Sequence, residues 1–197
     1  MKRIAMMVGL LLVAGSAGAG RMSDKMVFKG EKVLFDLYSE ERSNVFICSG
    51  MMGNWGDFKV DQKCTTKPRS GKTCTKILYT AANSQQAGWA GIFWQFPSNN
   101  WGLRPGTDVL KGAKKLVFWA RGARGGEVLE EVGSGGVNGL EYIDSGSSRL
   151  YGIELTNKWQ RFELDISDED WSSVIGGFVF AVKGEAKAFY FDDIYFQ

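Results

Sequence analysis

The chain has 197 residues, 24 Lys+Arg against 22 Asp+Glu, three Cys, seven Trp and no His. Without histidine, Ser-His-Asp and Cys-His catalysis, His-ligated zinc and an imidazole proton shuttle are all excluded. A formal charge of +2 is too small for a domain that neutralises a row of phosphates, so nucleic acid is not an expected partner.

The chain opens on Lys2 and Arg3, an apolar run from Ile4 to Val13, and the small residues Ala17-Gly18-Ala19. This is the pattern of an export signal over residues 1–19, with an apolar stretch shorter than the roughly 20 residues of a spanning helix. The expected product is secreted or periplasmic, with no membrane insertion after cleavage. Losing Lys2 and Arg3 leaves it formally neutral. Residues 20–197 show no repeat and no linker, and are read as a single domain.

Nine segments read as strands, at 32–38, 43–49, 73–81, 89–96, 114–121, 127–132, 158–166, 174–182 and 187–196, each rich in β-branched or aromatic residues and bounded by turn residues. The acidic run 168–173 is expected to make at most one helical turn. Strands with no intervening helices must cover their faces with each other, which predicts an all-β, two-sheet antiparallel sandwich or barrel. In an oxidising compartment Cys64 and Cys74, bracketing a turn marked by Pro68 and Gly71 and flanked by two short extended arms, are expected to form a disulfide. Closing so short a loop contributes about 2.5–3 kcal/mol. Cys48, among Val45, Phe46 and Ile47, reads as a buried free thiol in a strand, with pairing to Cys64 or Cys74 left open.

Alternation along the strands points to function. In 116–121, Leu116, Phe118 and Ala120 share one face while Trp119 and Arg121 share the other. In 89–96 both faces are apolar: Ala90, Ile92, Trp94 and Phe96 fall together, and Trp89, Gly91, Phe93 and Gln95 oppose them. Gln95 argues that its own side is the wet one. Two loops share an Asn-Trp-Gly core, Asn54-Trp55-Gly56 and Asn100-Trp101-Gly102. Trp interleaved with Asn, Gln and Arg fits a sugar, whose C–H face stacks on an aromatic plane while its hydroxyls pair with amides and guanidinium. The competing reading is that Trp55 and Trp101 are plugs over the sandwich ends. Trp159 and Trp171 are assigned to packing.

The runs Gly88-Trp89-Ala90-Gly91-Ile92-Phe93-Trp94-Gln95, Asn99-Asn100-Trp101-Gly102, Lys115-Leu116-Val117-Phe118-Trp119-Ala120-Arg121-Gly122 and Phe189-Tyr190-Phe191-Asp192-Asp193-Ile194-Tyr195-Phe196 resemble bacterial carbohydrate-binding modules of the galactose-binding-like jelly-roll type. The resemblance implies a β-sandwich jelly roll that binds polysaccharide or oligosaccharide without cleaving it, with Trp119, Arg121, Trp89, Gln95, Trp94, Trp101, Asn100 and Trp55 as candidate contacts. It also implies a structural calcium near the last strand, for which Asp192, Asp193 and Asp36 are the available carboxylates. Partners would be a glycan, and a protein or a glycosidase acting in trans.

Two other readings follow from the same residues. A structural or adhesion subunit would use the aromatic surface against protein. A jelly-roll glycoside hydrolase or lyase would need two carboxylates on one groove. Of Glu127, Glu130, Glu131, Glu141, Glu154 and Glu163, none forms a spaced signature, and adjacent Glu130 and Glu131 are expected on opposite faces.

Overall fold

The computed structural model describes residues 27–28, 31–38, 45–138 and 140–197. The expected export segment lies outside them. The strands are β1 (Val27–Phe28), β2 (Glu31–Lys32), β3 (Phe35–Tyr38), β4 (Ile47–Gly53), β5 (Phe58–Cys64), β6 (Cys74–Tyr79), β7 (Trp89–Gln95), β8 (Lys115–Gly122), β9 (Glu127–Gly135), β10 (Ser147–Leu155), β11 (Gln160–Asp165), β12 (Gly176–Lys183) and β13 (Lys187–Phe196). A 3-10 turn at Trp55–Asp57 is the helical element among the described residues. The acidic run 168–173 makes only turns and bends.

The first expected strand splits into β2 and β3, and the second is displaced toward Gly53, its residues 43–44 lying outside the description. β1 and β5 match none of the expected strands, and neither does β10. Its sequence, Ser147-Ser148-Arg149-Leu150-Tyr151-Gly152-Ile153, breaks strict alternation because Gly152 adopts φ +61°, a conformation open to glycine at no steric cost.

Two antiparallel sheets pack face to face. One has five strands in the order β10-β9-β12-β7-β4, the other β11-β8-β13-β6-β5 with β3 also on β13. β13 carries β8 along one edge and β6 then β3 in tandem along the other, β6 on Lys187–Phe191 and β3 on Ile194–Phe196. Asp192 and Asp193 fall at this changeover, in a bulge where Asp193 has φ +47°.

Between the sheets lies one aromatic core. Trp94 meets Phe178 edge-on at 5.4 Å, Phe178 meets Phe191 at 5.3 Å, and Phe118 stacks on Phe162 at 5.2 Å. Such pairs add about 0.5–1.5 kcal/mol each beyond the area they bury. The register of β7 therefore decides the site: Ala90, Ile92 and Trp94 point into the core, and Trp89, Gly91, Phe93 and Gln95 point away. Trp94 is 2% exposed and cannot contact a ligand, which corrects its place among the candidate contacts. Trp171 packs in the same core with its indole N–H donating to the Ile166 carbonyl at 2.8 Å.

Candidate functional site

The outer face of the five-stranded sheet carries two cross-strand rows. One runs Met52, Gly91, Ala181, Glu131, Tyr151, and the next Gly50, Phe93, Val179, Gly133, Arg149. Small residues in the middle of the first row, Gly91 and Ala181, leave a floor. At Gly91 an added Cβ would meet Met52 Cε at 2.8 Å, the Phe180 carbonyl at 2.9 Å and the Trp89 ring at 3.3 Å, so only glycine lets the indole lean across. Trp89 and Tyr151 remain 40% and 73% exposed and form the walls of a cavity of about 400 Å³ lined also by Glu130, Glu131, Ala181 and Lys183. That size is within the range of small-ligand sites.

Glu130 and Glu131 line this cavity together, against the expectation that neighbours on a strand face opposite ways. The cause is a matched irregularity. Leu129 and Val132 are both core residues, three apart, so Glu130 and Glu131 both sit off the core. Across the pair, Leu150 and Ile153 pack inward while Tyr151 and Gly152 do not. Each carboxylate is matched by a cation, Glu130 by Lys183 at 2.9 Å and Glu131 by Arg149 at 4.0 Å. The groove therefore offers hydrogen-bonding groups of both kinds.

Arg149 is held by the backbone of its own hairpin. Its guanidinium donates to the carbonyls of Ser134, Gly135 and, at 2.9 Å, Ser148, and lies 6.0 Å from the Phe93 ring. Burial lowers its pKa below the usual arginine value, and Glu131 opposes that fall. Nearby, Asp144 accepts from the backbone N–H groups of Val137 at 2.8 Å, Ile175, and Gly176 at 3.2 Å. Burial raises its pKa despite these bonds. Trp101 is half-buried, packed edge-on to Phe93 at 6.0 Å with Tyr142 in the same cluster, and extends the apolar surface of this face.

The amides predicted as contacts serve the loops instead. Gln95 is fully buried, its amide donating to the Asn100 carbonyl at 2.8 Å. Asn100 Oδ1 accepts from Gly102, Leu103 and Arg104, each at 3.1 Å, and Nδ2 donates to the carbonyls of Phe96 and Arg104. The other Asn-Trp-Gly loop repeats the device, with buried Asn54 accepting from Gln85 and Ala87. Beside it, buried Asp57 accepts from Asn83 and Ser84. Trp55 stands out from that loop at 56% exposure.

Trp119 and Arg121 lie on the outer face of the other sheet, where the loop between β5 and β6 covers them. Arg121 is 7% exposed, 3.6 Å from the Tyr190 ring centre and 5.1 Å from that of Trp159, and donates to the Thr66 carbonyl at 2.8 Å. Arg69 lies 3.8 Å over Trp119, and the Trp159 indole donates to the Lys67 carbonyl at 3.0 Å. The loop covers this stack, with Arg121 Nε buried and without a hydrogen-bond partner, which corrects the expectation that the pair stands open to a ligand.

Cys64 and Cys74 stand directly opposite in register, as expected for partners, but are free thiols in the structure, with the Cys74 sulfur 3.5 Å from the Cys64 carbonyl. Burial, then Cys64, pushes the Cys74 thiol up to about 12. Cys48 is also free, half-buried against the core, and burial pushes it up to about 12.

Asp192 accepts from the backbone N–H groups of Arg69 and Asp193, both at 2.8 Å, and of Ser70 at 3.3 Å, while Asp193 accepts from the Arg69 guanidinium and, at 2.6 Å, from the Ser70 hydroxyl. Asp36 is buried on β3, opposite Tyr195. A guanidinium directly on Asp193 is a poor neighbour for a second cation, and among the described residues no group of three or more His, Cys, Asp or Glu is arranged to hold a metal ion. Of the remaining carboxylates, Glu127 is buried and accepts from the N–H groups of Arg124 and Gly125 at 2.8 Å, and Glu141, Glu154 and Glu163 are exposed.

No family model matches the sequence, and no curated protein matches it. Solved structures do. A family 30 carbohydrate-binding module superposes with a TM-score of 0.58 at 16% identity, over 83% of this chain and 88% of that one. The family 30 module of a cellulosomal cellulase of Clostridium thermocellum gives 0.56 at 14%, over 83% and 97%. The family 11 module from Clostridium thermocellum, in complex with a β-1,3-1,4-mixed-linked tetrasaccharide, gives 0.52 at 16%, over 82% and 94%. The fold is the jelly roll of carbohydrate-binding modules. On this jelly roll the sequence-predicted contacts divide five ways: Trp89 and Trp101 share the open face, Trp94 is core, Gln95 and Asn100 bond loop backbone, Trp55 stands out from its own loop, and Trp119 and Arg121 are beneath a loop on the far sheet. Sequence reading missed Tyr151, Arg149 and Lys183, and weighed Glu130 and Glu131 only as catalytic carboxylates on opposite faces. The signal available was Arg149-Leu150-Tyr151 itself, a cationic and an aromatic residue flanking one apolar one between turn residues.

Proposed function

We propose that the chain binds a glycan on the outer face of the five-stranded sheet and does not cleave it. The observation that carries this reading is the cavity between exposed Trp89 and exposed Tyr151, floored by Ala181 and edged by Glu130, Glu131 and Lys183. Two aromatic walls offer stacking surfaces to sugar rings, and paired charges offer donors and acceptors to hydroxyls. The tetrasaccharide bound by a family 11 module of the same fold supports an oligosaccharide chain as the ligand. Glu130 and Glu131 arise from neighbouring positions on β9, on one side of the floor, whereas glycoside hydrolysis requires carboxylates flanking the scissile bond. A glycosidase acting in trans and an exported location complete the proposal.

Native gel electrophoresis through lichenan, xyloglucan, galactomannan and xylan tests it. Retardation by at least one polysaccharide, abolished by Trp89→Ala and by Tyr151→Ala, is the expected result. Retardation by none of the four, or retardation unaffected by both substitutions, contradicts the groove as the site.

A second reading, a structural or adhesion subunit, rests on Leu103, Leu140 and Ile143, exposed by 70%, 50% and 53% on two loops joined by the Tyr142 N–H bond to the Gly102 carbonyl at 2.9 Å. It predicts association that Leu103→Asp with Ile143→Asp abolishes, measured by sedimentation velocity.

A further inference from the structure

The groove does not end at Lys183. A second cavity, of about 490 Å³, lies where the β8–β9 and β12–β13 turns come together, and Glu130 and Lys183 line both. Their ion pair at 2.9 Å is thus the ridge between two compartments. We infer that the site is forked, and that the second compartment takes a neutral sugar branch carried by a glycan whose backbone lies along the aromatic groove. This inference rests on the glycan-binding reading and adds a ligand class to it.

The chemistry of the two linings differs in the way such a division needs. The first compartment has the aromatic planes of Trp89 and Tyr151, which suit a stacked backbone. The second has no aromatic ring; apart from glycines, Val128 and Ala186, every lining side chain is charged. Such a surface grips hydroxyls edge-on and gives a stacked chain nothing to lie against.

The space comes from the turns. An added Cβ at Gly126 or at Gly184 would meet nothing within 4 Å, and both have positive φ, +85° and +72°. One side of the compartment is fixed: buried Glu127 accepts from the N–H groups of Arg124 and Gly125 at 2.8 Å, and Lys187 Nζ donates to the carbonyls of Val128 at 3.1 Å and Lys183 at 2.9 Å. That scaffold leaves the heads of Glu130, Lys183, Arg124 and Glu185 around the opening. Arg124, Lys183 and Lys187 balance Glu127, Glu130 and Glu185, so neither a uronic acid nor an amino sugar gains from the field, and a neutral hydroxylated branch is the fitting occupant.

Calorimetry on the full chain, with matched probe pairs, tests the fork. The pairs are cellotetraose against xyloglucan heptasaccharide, mannopentaose against a galactosylated mannopentaose, and xylotetraose against a glucuronic-acid-branched xylotetraose. In at least one of the two neutral pairs the branched member is expected to bind tenfold tighter or more. Ala186→Trp, which fills the second compartment from an exposed position, brings that ratio to one while leaving the linear member's affinity unchanged. Trp89→Ala loses both members. Equal affinities within both neutral pairs, with linear binding present, overturn the fork and leave the groove standing. A preference for the acidic branch alone overturns the neutral assignment. Binding of no probe overturns the groove reading and the fork with it. An Ala186→Trp protein whose melting transition matches the parent, yet keeps the tenfold preference, also overturns the fork.

Discussion

Arg69 lies 3.8 Å above the ring of Trp119, and the same guanidinium bonds Asp193, which is fully buried. One side chain thus ties the β5–β6 loop to β8 and to the bulge of β13. The arrangement gives the Trp and the Arg on the outer face of β8 a packing role under the loop. The same loop supplies Asp192 and Asp193 with a positive charge and N–H groups. Arg69→Ala leaves the Asp193 carboxylate buried without its counter-charge, and such truncations cost about 3–5 kcal/mol. A large fall in denaturation midpoint is expected, with glycan affinity per folded molecule unchanged. Lost affinity at unchanged stability would place Arg69 in the binding site instead.

Asp192 gives the loop a pH dependence. Burial, then the neighbouring Asp193, raises its pKa from 3.8 to about 6, against the pull of three backbone N–H bonds. An acid whose pKa is higher folded than unfolded favours folding while protonated. Its contribution is complete below the unfolded value and is lost as pH rises through about 6. Asp192→Asn should therefore gain stability relative to the parent between pH 4 and 6.5, read as the difference in urea midpoint. A difference that stays constant across this window contradicts the assignment.

Asn100 is predicted to act through the loop alone. Asn100→Ala deprives the N–H groups of Gly102, Leu103 and Arg104 of their shared acceptor, and orphaned buried groups cost about 1–3 kcal/mol. The melting temperature should fall clearly, and glycan affinity should fall less than for Trp89→Ala. A fall equal to that of Trp89→Ala at unchanged stability would restore Asn100 as a contact.

The all-β sandwich was legible because punctuation by turns and the period-2 patterns of β7 and β8 are local properties of the chain. The site was legible only in part. Trp89 could be placed on the face of Gln95, but that face was wet at one end and sealed at the other, since the 97–104 loop folds over Gln95 and leaves Trp89 open. Trp119 and Arg121 looked like a binding pair because their cover, a loop more than forty residues earlier in sequence, comes over them only in the folded chain. Glu130 and Glu131 were misplaced because strict alternation fails where β9 and β10 share an irregularity that Gly152 permits. Tertiary register, not composition, put Tyr151 and Glu131 across from one another on the groove.

The groove itself is tested most directly by titrating the parent chain, Trp89→Ala, Tyr151→Ala and Trp119→Phe with one polysaccharide that retards the parent. The account predicts that Trp89→Ala and Tyr151→Ala each lose at least tenfold in affinity with melting temperatures near the parent's, while Trp119→Phe binds as the parent does. Loss of binding in Trp119→Phe, with Trp89→Ala and Tyr151→Ala unaffected, would move the site to the opposite sheet and contradict the central claim.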